Sequence, residues 1–224
     1  IAAPNTIEQI KDQTGKDKLI VIQPFGRGVT NTDGYIFDPS SRSFNVGDIA
    51  EIINDLKKDY AVMVMSEFPF ETGDSKYEHA MPQVPDIRLW GGLIQCADHF
   101  LGCDSVGQHI AKAVGTTVTA VIGSTFPINI SYPDDKDFDI IDIGVKHGRV
   151  FSPLRLTTED QQDMYNDECM SMTKEDVKEV IDSCRKRLGK PVKRKKVQVE
   201  PTKEESCCDD PKCPTSIPKK GFGS

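Results

Sequence analysis

The segment His99-Phe-Leu-Gly-Cys-Asp-Ser-Val-Gly-Gln-His-Ile-Ala-Lys-Ala-Val114 changes its hydrophobic pattern part of the way along. His99 to Gly102 is a short, mostly apolar run of the kind that forms a buried strand. From Ser105 to Val114 the apolar residues recur instead at helical spacing. The polar loop Gly102 to Gln108 therefore leads from a strand directly into a helix. Such strand–loop–helix units build parallel sheets that are covered by helices.

Similar units lie on both sides of this segment. Upstream, the apolar runs Lys18 to Gln23 and Tyr60 to Met65 are separated by the amphipathic stretch Val46 to Leu56. Downstream, the β-branched run Thr117 to Ile122 predicts another strand, and the amphipathic stretch Thr173 to Leu188 predicts a closing helix. At least four strands alternating with helices predict an α/β fold with a doubly wound parallel sheet.

The composition divides the chain of 224 residues at residue 189. The alternating pattern fills residues 1–188, which are predicted to form one domain. Residues 189–224 hold few large apolar residues, and the basic run Arg185 to Lys196 crosses this boundary. Such a composition is typical of a disordered tail, and the alternative interpretations are contact with nucleic acid or an acidic lipid, or attachment to another protein. A cysteine cluster in the tail does not match the paired spacing of zinc-binding cysteines. It consists of Cys207, Cys208 and Cys213.

Charge and cysteine usage exclude several classes of function. A net charge of −7 argues against nucleic-acid binding by the whole chain. The sequence holds no apolar run long enough to span a membrane. The seven irregularly spaced cysteines predict reduced thiols and a cytoplasmic location. The chain begins at Ile1 without a start Met or a signal pattern, so we expect a segment of a longer protein or a processed product.

The loops that follow the predicted strands are the places where a ligand site is expected, since open α/β sheets bind ligands at the carboxyl ends of their strands. In the loop Gly102 to Gln108, backbone N–H groups at the helix start suit a diphosphate. Ser105 can cap the helix or contact a phosphate, and Asp104 can accept hydrogen bonds from sugar hydroxyls. Helix capping without any ligand is the alternative interpretation.

The longer segment Ala97 to Thr116 is similar to the signature of glycosyltransferase family 9, the heptosyltransferase type. That signature reads Ala-Asp, an apolar strand, Gly-x-Asp-Ser/Thr-Gly-x-x-His, small residues and Leu-Gly-Thr-Pro. Gly123 to Pro127 resembles the family's Gly-Pro-Thr-x-Pro, and Ser41 to Phe44 resembles its basic Lys/Arg-x-Trp-Pro step. Tyr60 to Glu67 resembles its strand followed by an acidic residue. These elements agree in order and spacing from Ile20 onward.

The resemblance implies a Rossmann-like domain that forms the donor-binding half of a GT-B fold. The positions that it assigns to donor binding are Arg42, Glu67, Asp104, Ser105, Val106, Gly107, His109 and Thr125. By this resemblance Asp104 contacts the donor sugar, and Ser105 with the following backbone amides holds the diphosphate. Arg42 neutralises the departing diphosphate. Glu67, with Glu71 as a competing candidate, binds the nucleotide ribose.

Some of these positions depart from the family pattern. Val106 replaces a glycine that normally allows close approach of the backbone to phosphate, and Gly107 follows one place later. Thr117 replaces the proline of Leu-Gly-Thr-Pro. His109 matches the signature histidine, and a packed histidine that braces the loop is as consistent with its position as a ligand contact. Thr125 matches a small polar residue near the phosphates.

The resemblance also implies an activity, namely inverting, metal-independent transfer of a sugar to a glycan acceptor such as the lipopolysaccharide core. The family's typical donor is ADP-heptose, and no further cofactor is implied. The acceptor and the catalytic base belong to an N-terminal domain that this chain does not cover, so no catalytic residue is assigned. One alternative is a non-catalytic interaction or structural module with the same fold. Another is a related epimerase, which would need a different set of acidic and histidine residues.

Overall fold

The structure is a computed structural model that describes residues 3–38, 40–67, 69–73, 86–149 and 169–194. Its strands are β1 (Leu19–Gln23), β2 (Thr30–Thr32), β3 (Tyr35–Phe37), β4 (Ala61–Val64), β5 (His99–Gly102), β6 (Val118–Ile122) and β7 (Phe138–Asp142). Its helices are α1 (Ala3–Thr14), α2 (Val46–Leu56), α3 (Ile87–Cys96), α4 (Val106–Val114), α5 (Pro127–Ile130), α6 (Ile143–Lys146) and α7 (Lys174–Leu188). The predicted α/β fold with a parallel sheet is confirmed.

Five strands pair in parallel in the order β4-β1-β5-β6-β7. The chain leaves β1 for β4 on one side and then crosses back to β5 on the other side. Such a reversal is a topological switch point, and it opens a crevice at the carboxyl ends of the two strands beside it. Gln23 and Gly102, the last residues of β1 and β5, lie opposite each other in the register. The expected ligand crevice therefore lies directly above them.

Each face of the sheet is covered by its own layer of helices. Successive side chains of a strand point to opposite faces, so alternate residues of an apolar run enter different cores. In β1, Ile20 and Ile22 pack under α2 and α7, whereas Leu19 and Val21 pack under α1, α3 and α4. Burial on both faces explains why this strand reads as an uninterrupted apolar run.

The loop between β1 and α2 contains a hairpin that the hydrophobic pattern did not predict. Strands β2 and β3 pair antiparallel around a two-residue turn at Asp33 and Gly34, which have φ angles of 52° and 87°. Asp-Gly is a sequence that adopts such positive φ angles readily, and it was therefore an available signal. The exposed rings of Tyr35 and Phe37 stack along β3.

Helix α7, at the place of the predicted closing helix, begins at a capping box formed by Thr173 and Asp176. The described fold continues past the predicted boundary at residue 188, because the segment that follows α7 pairs with the residues before β1. Asp17 N–H donates to Val192 O at 2.9 Å, and Arg194 N–H donates to Gly15 O at 3.0 Å. Residues 195–224, including the cysteine cluster, lie outside the described residues. No helix in the described ranges is both long and apolar enough to cross a bilayer.

Candidate functional site

The carboxyl edge of the sheet, meaning the strand ends and the loops that follow them, brings three of the predicted site residues together. Asp104 lies two residues after the end of β5 and is only 6% exposed. Thr125 Oγ1 donates to Asp104 Oδ2 at 2.9 Å, and Arg42 Nη1 lies 4.0 Å from the same oxygen. The three residues come from different loops, so the sheet topology is what brings them into contact.

Asp104 is a buried carboxyl group whose charge is only partly balanced by its neighbours. Burial raises the pKa of Asp104 above its usual value, and the hydrogen bond from Thr125 and the charge of Arg42 oppose that rise. A buried carboxyl that a cation only partly neutralises stabilises the fold poorly. Such groups are found preferentially where a ligand is bound or chemistry is done.

The loop that carries Arg42 is held in a fixed conformation. Asp38 accepts hydrogen bonds from the backbone N–H groups of Ser40 and Ser43, at 2.9 and 3.1 Å. Ser124 Oγ donates to Ser40 O at 2.6 Å, which docks the loop on the end of β6. Ser41 has a φ angle of 49°, in the left-handed region that non-glycine residues rarely adopt. Such strain persists only where the surroundings impose it, and here it precedes Arg42.

Several hydrogen bonds hold the loop, but the guanidinium of Arg42 itself forms few contacts. Its Nε donates to Ser40 Oγ at 3.0 Å, and its side chain is 29% exposed. The 4.0 Å ion pair with Asp104 is at the outer limit of such contacts. Arg42 therefore retains donors that can meet an anion in the crevice.

Helix α4 starts beside this pair, with Ser105 as its N-cap residue. The Ser105 side chain makes no capping hydrogen bond to the helix. The N–H of Gly107 donates to Gln23 Oε1 at 2.9 Å, so this amide is already paired and is not available to a diphosphate in this arrangement. Gly107 is also a packing residue, because a Cβ atom there would overlap Gln23 Oε1 and the Phe100 ring. Val106 opens the helix with a partly exposed side chain.

The other predicted residues are His109 and the two glutamates after β4. His109 is exposed, and its Nδ1 lies 3.0 Å from Tyr132 Oη, which favours the interpretation as a brace for the neighbouring loop. Glu67 and Glu71 are exposed in the segment after β4. Within the described ranges, no hydrogen bond or ion pair joins either glutamate to Arg42 or Asp104. Their assignment to a ribose stays a prediction.

Two residues of the site were not predicted. Gln23 ends an apolar strand at the switch point, and a polar residue in that position was a usable signal. Arg149 gave no such signal, because it follows an irregular stretch. Its Nη1 donates to Gly123 O at 3.1 Å and to Thr125 O at 2.6 Å, and both Nη atoms bind the Asp142 carboxylate. Arg149 therefore holds the loop that presents Thr125.

No protein-family model matches the chain, and no curated protein matches it either. Among solved structures it is similar to ADP-heptose LPS heptosyltransferase II from E. coli, with a TM-score of 0.50 and 16% identity over 79% of this chain and 50% of that chain. A family 9 glycosyltransferase from Veillonella parvula DSM 2008 gives a TM-score of 0.49 and 12% identity, covering 83% of this chain and 51% of that one. E. coli heptosyltransferase WaaC with ADP gives a TM-score of 0.45 and 12% identity, covering 76% of this chain and 45% of that one.

The chain thus spans about half the length of the solved structures that it matches. At this level of identity the likeness to heptosyltransferase II concerns the fold. It confirms that the chain has the α/β architecture of one half of a heptosyltransferase, as the resemblance of its sequence to family 9 implies.

Proposed function

We propose that the chain binds a nucleoside-diphosphate sugar at the carboxyl edge of its sheet, as the donor-binding half of a glycosyltransferase. The observation that carries this proposal is the meeting of Arg42, Asp104 and Thr125 beside Ser105 at the switch point. The fold that the chain shares with half of an ADP-heptose heptosyltransferase supports it. ADP-heptose is accordingly the donor that we propose first.

The geometry suits the three parts of such a donor. The partly engaged guanidinium of Arg42 offers charge-assisted hydrogen bonds to the diphosphate, and the positive end of α4, apart from the paired N–H of Gly107, favours the same anion. The buried carboxylate of Asp104 accepts hydrogen bonds from sugar hydroxyls. Glu67 or Glu71, after β4, is proposed to bind the ribose.

The reaction that we propose is inverting and needs no metal ion. An acceptor hydroxyl of a glycan, such as the lipopolysaccharide core, attacks the anomeric carbon while the bond to the diphosphate breaks. A base removes the hydroxyl proton, and we propose that a separate acceptor domain supplies that base. Arg42 stabilises the negative charge that develops on the leaving diphosphate. The cytoplasmic location predicted from the cysteines belongs to the same proposal.

A second candidate is a non-catalytic module that keeps the fold without binding a donor. The observation in its favour is the pairing of the Gly107 N–H with Gln23 Oε1. The protein itself thereby fills one position that a diphosphate oxygen would otherwise take at the start of α4.

Calorimetric titration of the full chain with ADP, UDP, GDP and an ADP-sugar distinguishes the two candidates. We expect binding of ADP and tighter binding of the ADP-sugar. Asp104→Asn should remove the advantage of the sugar, and it should leave stability at pH 7 unchanged or higher, because it removes a buried charge whose pKa burial raises.

The matched control is Asp33→Asn in the exposed hairpin turn, where asparagine tolerates the positive φ angle. This variant should bind like the unmodified chain. If no nucleotide produces heat or a thermal shift, donor binding is wrong and the non-catalytic module is favoured.

A further inference from the structure

Gln23 forms three side-chain hydrogen bonds at the end of β1, and two of them reach the start of α4. Its Oε1 accepts from Gly107 N–H at 2.9 Å. Its Nε2 donates to Phe25 O at 3.2 Å and to Ser105 Oγ at 3.1 Å. The residue is only 5% exposed, so water does not compete strongly for these partners.

The surroundings fix which way the Gln23 amide faces. The Gly107 N–H can only donate, and the Phe25 carbonyl can only accept. Turning the amide by half a rotation would place Nε2 against the Gly107 N–H and Oε1 against the Phe25 carbonyl, and both pairs would repel. Because Nε2 must face Phe25 and Ser105, the Ser105 oxygen must act as the acceptor in its bond with Gln23.

This arrangement determines what the Ser105 hydroxyl can do next. A serine hydroxyl has one proton, and its bond with Gln23 uses a lone pair rather than that proton. Within the part of the chain that the structure describes, Ser105 donates to no acceptor, and it makes no capping bond to α4. The side chain is half-buried and follows Asp104 directly. Its proton is therefore available to an acceptor that enters the crevice.

We infer that Gln23 is a positioning residue that holds the Ser105 hydroxyl as a hydrogen-bond donor to a phosphate oxygen of a nucleoside diphosphate. The inference rests on the proposed function. Phosphate oxygens accept charge-assisted hydrogen bonds, so a hydroxyl that is committed to donating favours such an anion. Gln23 acts through Ser105, and it uses the Gly107 N–H to keep its own amide oriented.

A double-mutant cycle on the full chain tests this coupling. The variants are Gln23→Met, Ser105→Ala and the double variant, and each is titrated with ADP by calorimetry after its melting temperature has been measured. We expect about a tenfold loss of affinity in each single variant, the size of a lost hydrogen bond to a charged group. The double variant should be no weaker than the weaker single variant, because the two changes remove one interaction. Ser105→Thr, which retains a hydroxyl, should recover most of the affinity.

Gln23→Glu is the second variant, should Gln23→Met not fold. Its carboxylate still accepts from Gly107 but takes the Ser105 proton for itself, so adding Ser105→Ala should cause no further loss of ADP affinity. Additive losses, or unchanged affinity in the Gln23 variants, would overturn this inference while leaving donor binding intact. Failure of the unmodified chain to bind ADP would overturn both the inference and the proposed function.

Discussion

Two arginines at opposite edges of the sheet are engaged very differently. At the amino edge, where the strands begin, Arg194 binds three carboxylates, those of Glu8, Asp12 and Asp17, at 2.9, 2.9 and 3.0 Å. At the carboxyl edge, Arg42 donates to a serine hydroxyl and forms one ion pair of 4.0 Å with Asp104. The first guanidinium has its charge neutralised within the fold, and the second keeps donors free.

The difference indicates that the amino edge stabilises the fold and that the carboxyl edge is suited to bind a ligand. Saturated polar groups fix a conformation but offer nothing to a ligand, whereas buried, partly compensated groups weaken the fold and can bind one. The amino edge also anchors the segment after α7 through Arg194, at the edge opposite the candidate donor site.

The largest expected effect concerns the packing that positions the carboxyl edge. Gly107→Ala should lower the free energy of unfolding by about 3 kcal/mol, because the new methyl group overlaps Gln23 and Phe100 and disturbs a buried hydrogen bond. Gly47→Ala is the matched control, since Gly47 also follows a valine at the start of a helix but has open space around it. It should stabilise the chain by up to about 1 kcal/mol. Equal effects of the two substitutions in urea unfolding would contradict this packing role.

The next effect concerns the amino edge, where His99 is fully buried between Thr117 and Thr119. Burial, reinforced by the charge of Arg187, lowers the pKa of His99 to about 3, whereas the unfolded chain has an ordinary histidine pKa near 6.5. Below pH 6.5, His99 binds a proton in the unfolded chain but stays neutral in the folded protein. Stability from this group is therefore complete above pH 6.5 and is lost as the pH falls toward 3.

Between pH 7 and pH 5 this loss should amount to about 2 kcal/mol. His99→Gln places there an amide that can bond to hydroxyls but does not titrate. Over the same range, the free energy of unfolding of this variant should fall by about 2 kcal/mol less than that of the unmodified chain. Chemical unfolding at the two pH values measures the difference. Identical pH dependence in both proteins, or a His99 ring that titrates near pH 6 in NMR spectra, would show that the histidine is not held neutral.

Much of this architecture could be predicted from the sequence, because it depends on patterns that repeat along the chain. The apolar runs around Val21 and Val62 and the helical stripe of α2 identify the layers, and the polar loop at Asp104 identifies the edge where a ligand site is expected. Contacts between distant residues could not be predicted in this way. Two examples are the hydrogen bond from Gly107 to Gln23 and the one from Arg149 to the Thr125 carbonyl. Both depend on which loops the sheet order brings together. The hairpin around Gly34 carried an Asp-Gly turn signal that the apolar pattern did not reveal.

The most direct measurement of the division between the edges pairs Arg42→Ala with Arg194→Ala, with each variant titrated with ADP and unfolded in urea. Arg42→Ala should weaken ADP binding at least about tenfold and leave stability within about 0.5 kcal/mol, since its ion pair is long and partly exposed. Arg194→Ala should cost about 1 kcal/mol of stability and leave ADP affinity unchanged. Equal ADP affinities in the two variants, or a loss of affinity only in Arg194→Ala, would contradict the assignment of the donor site to the carboxyl edge.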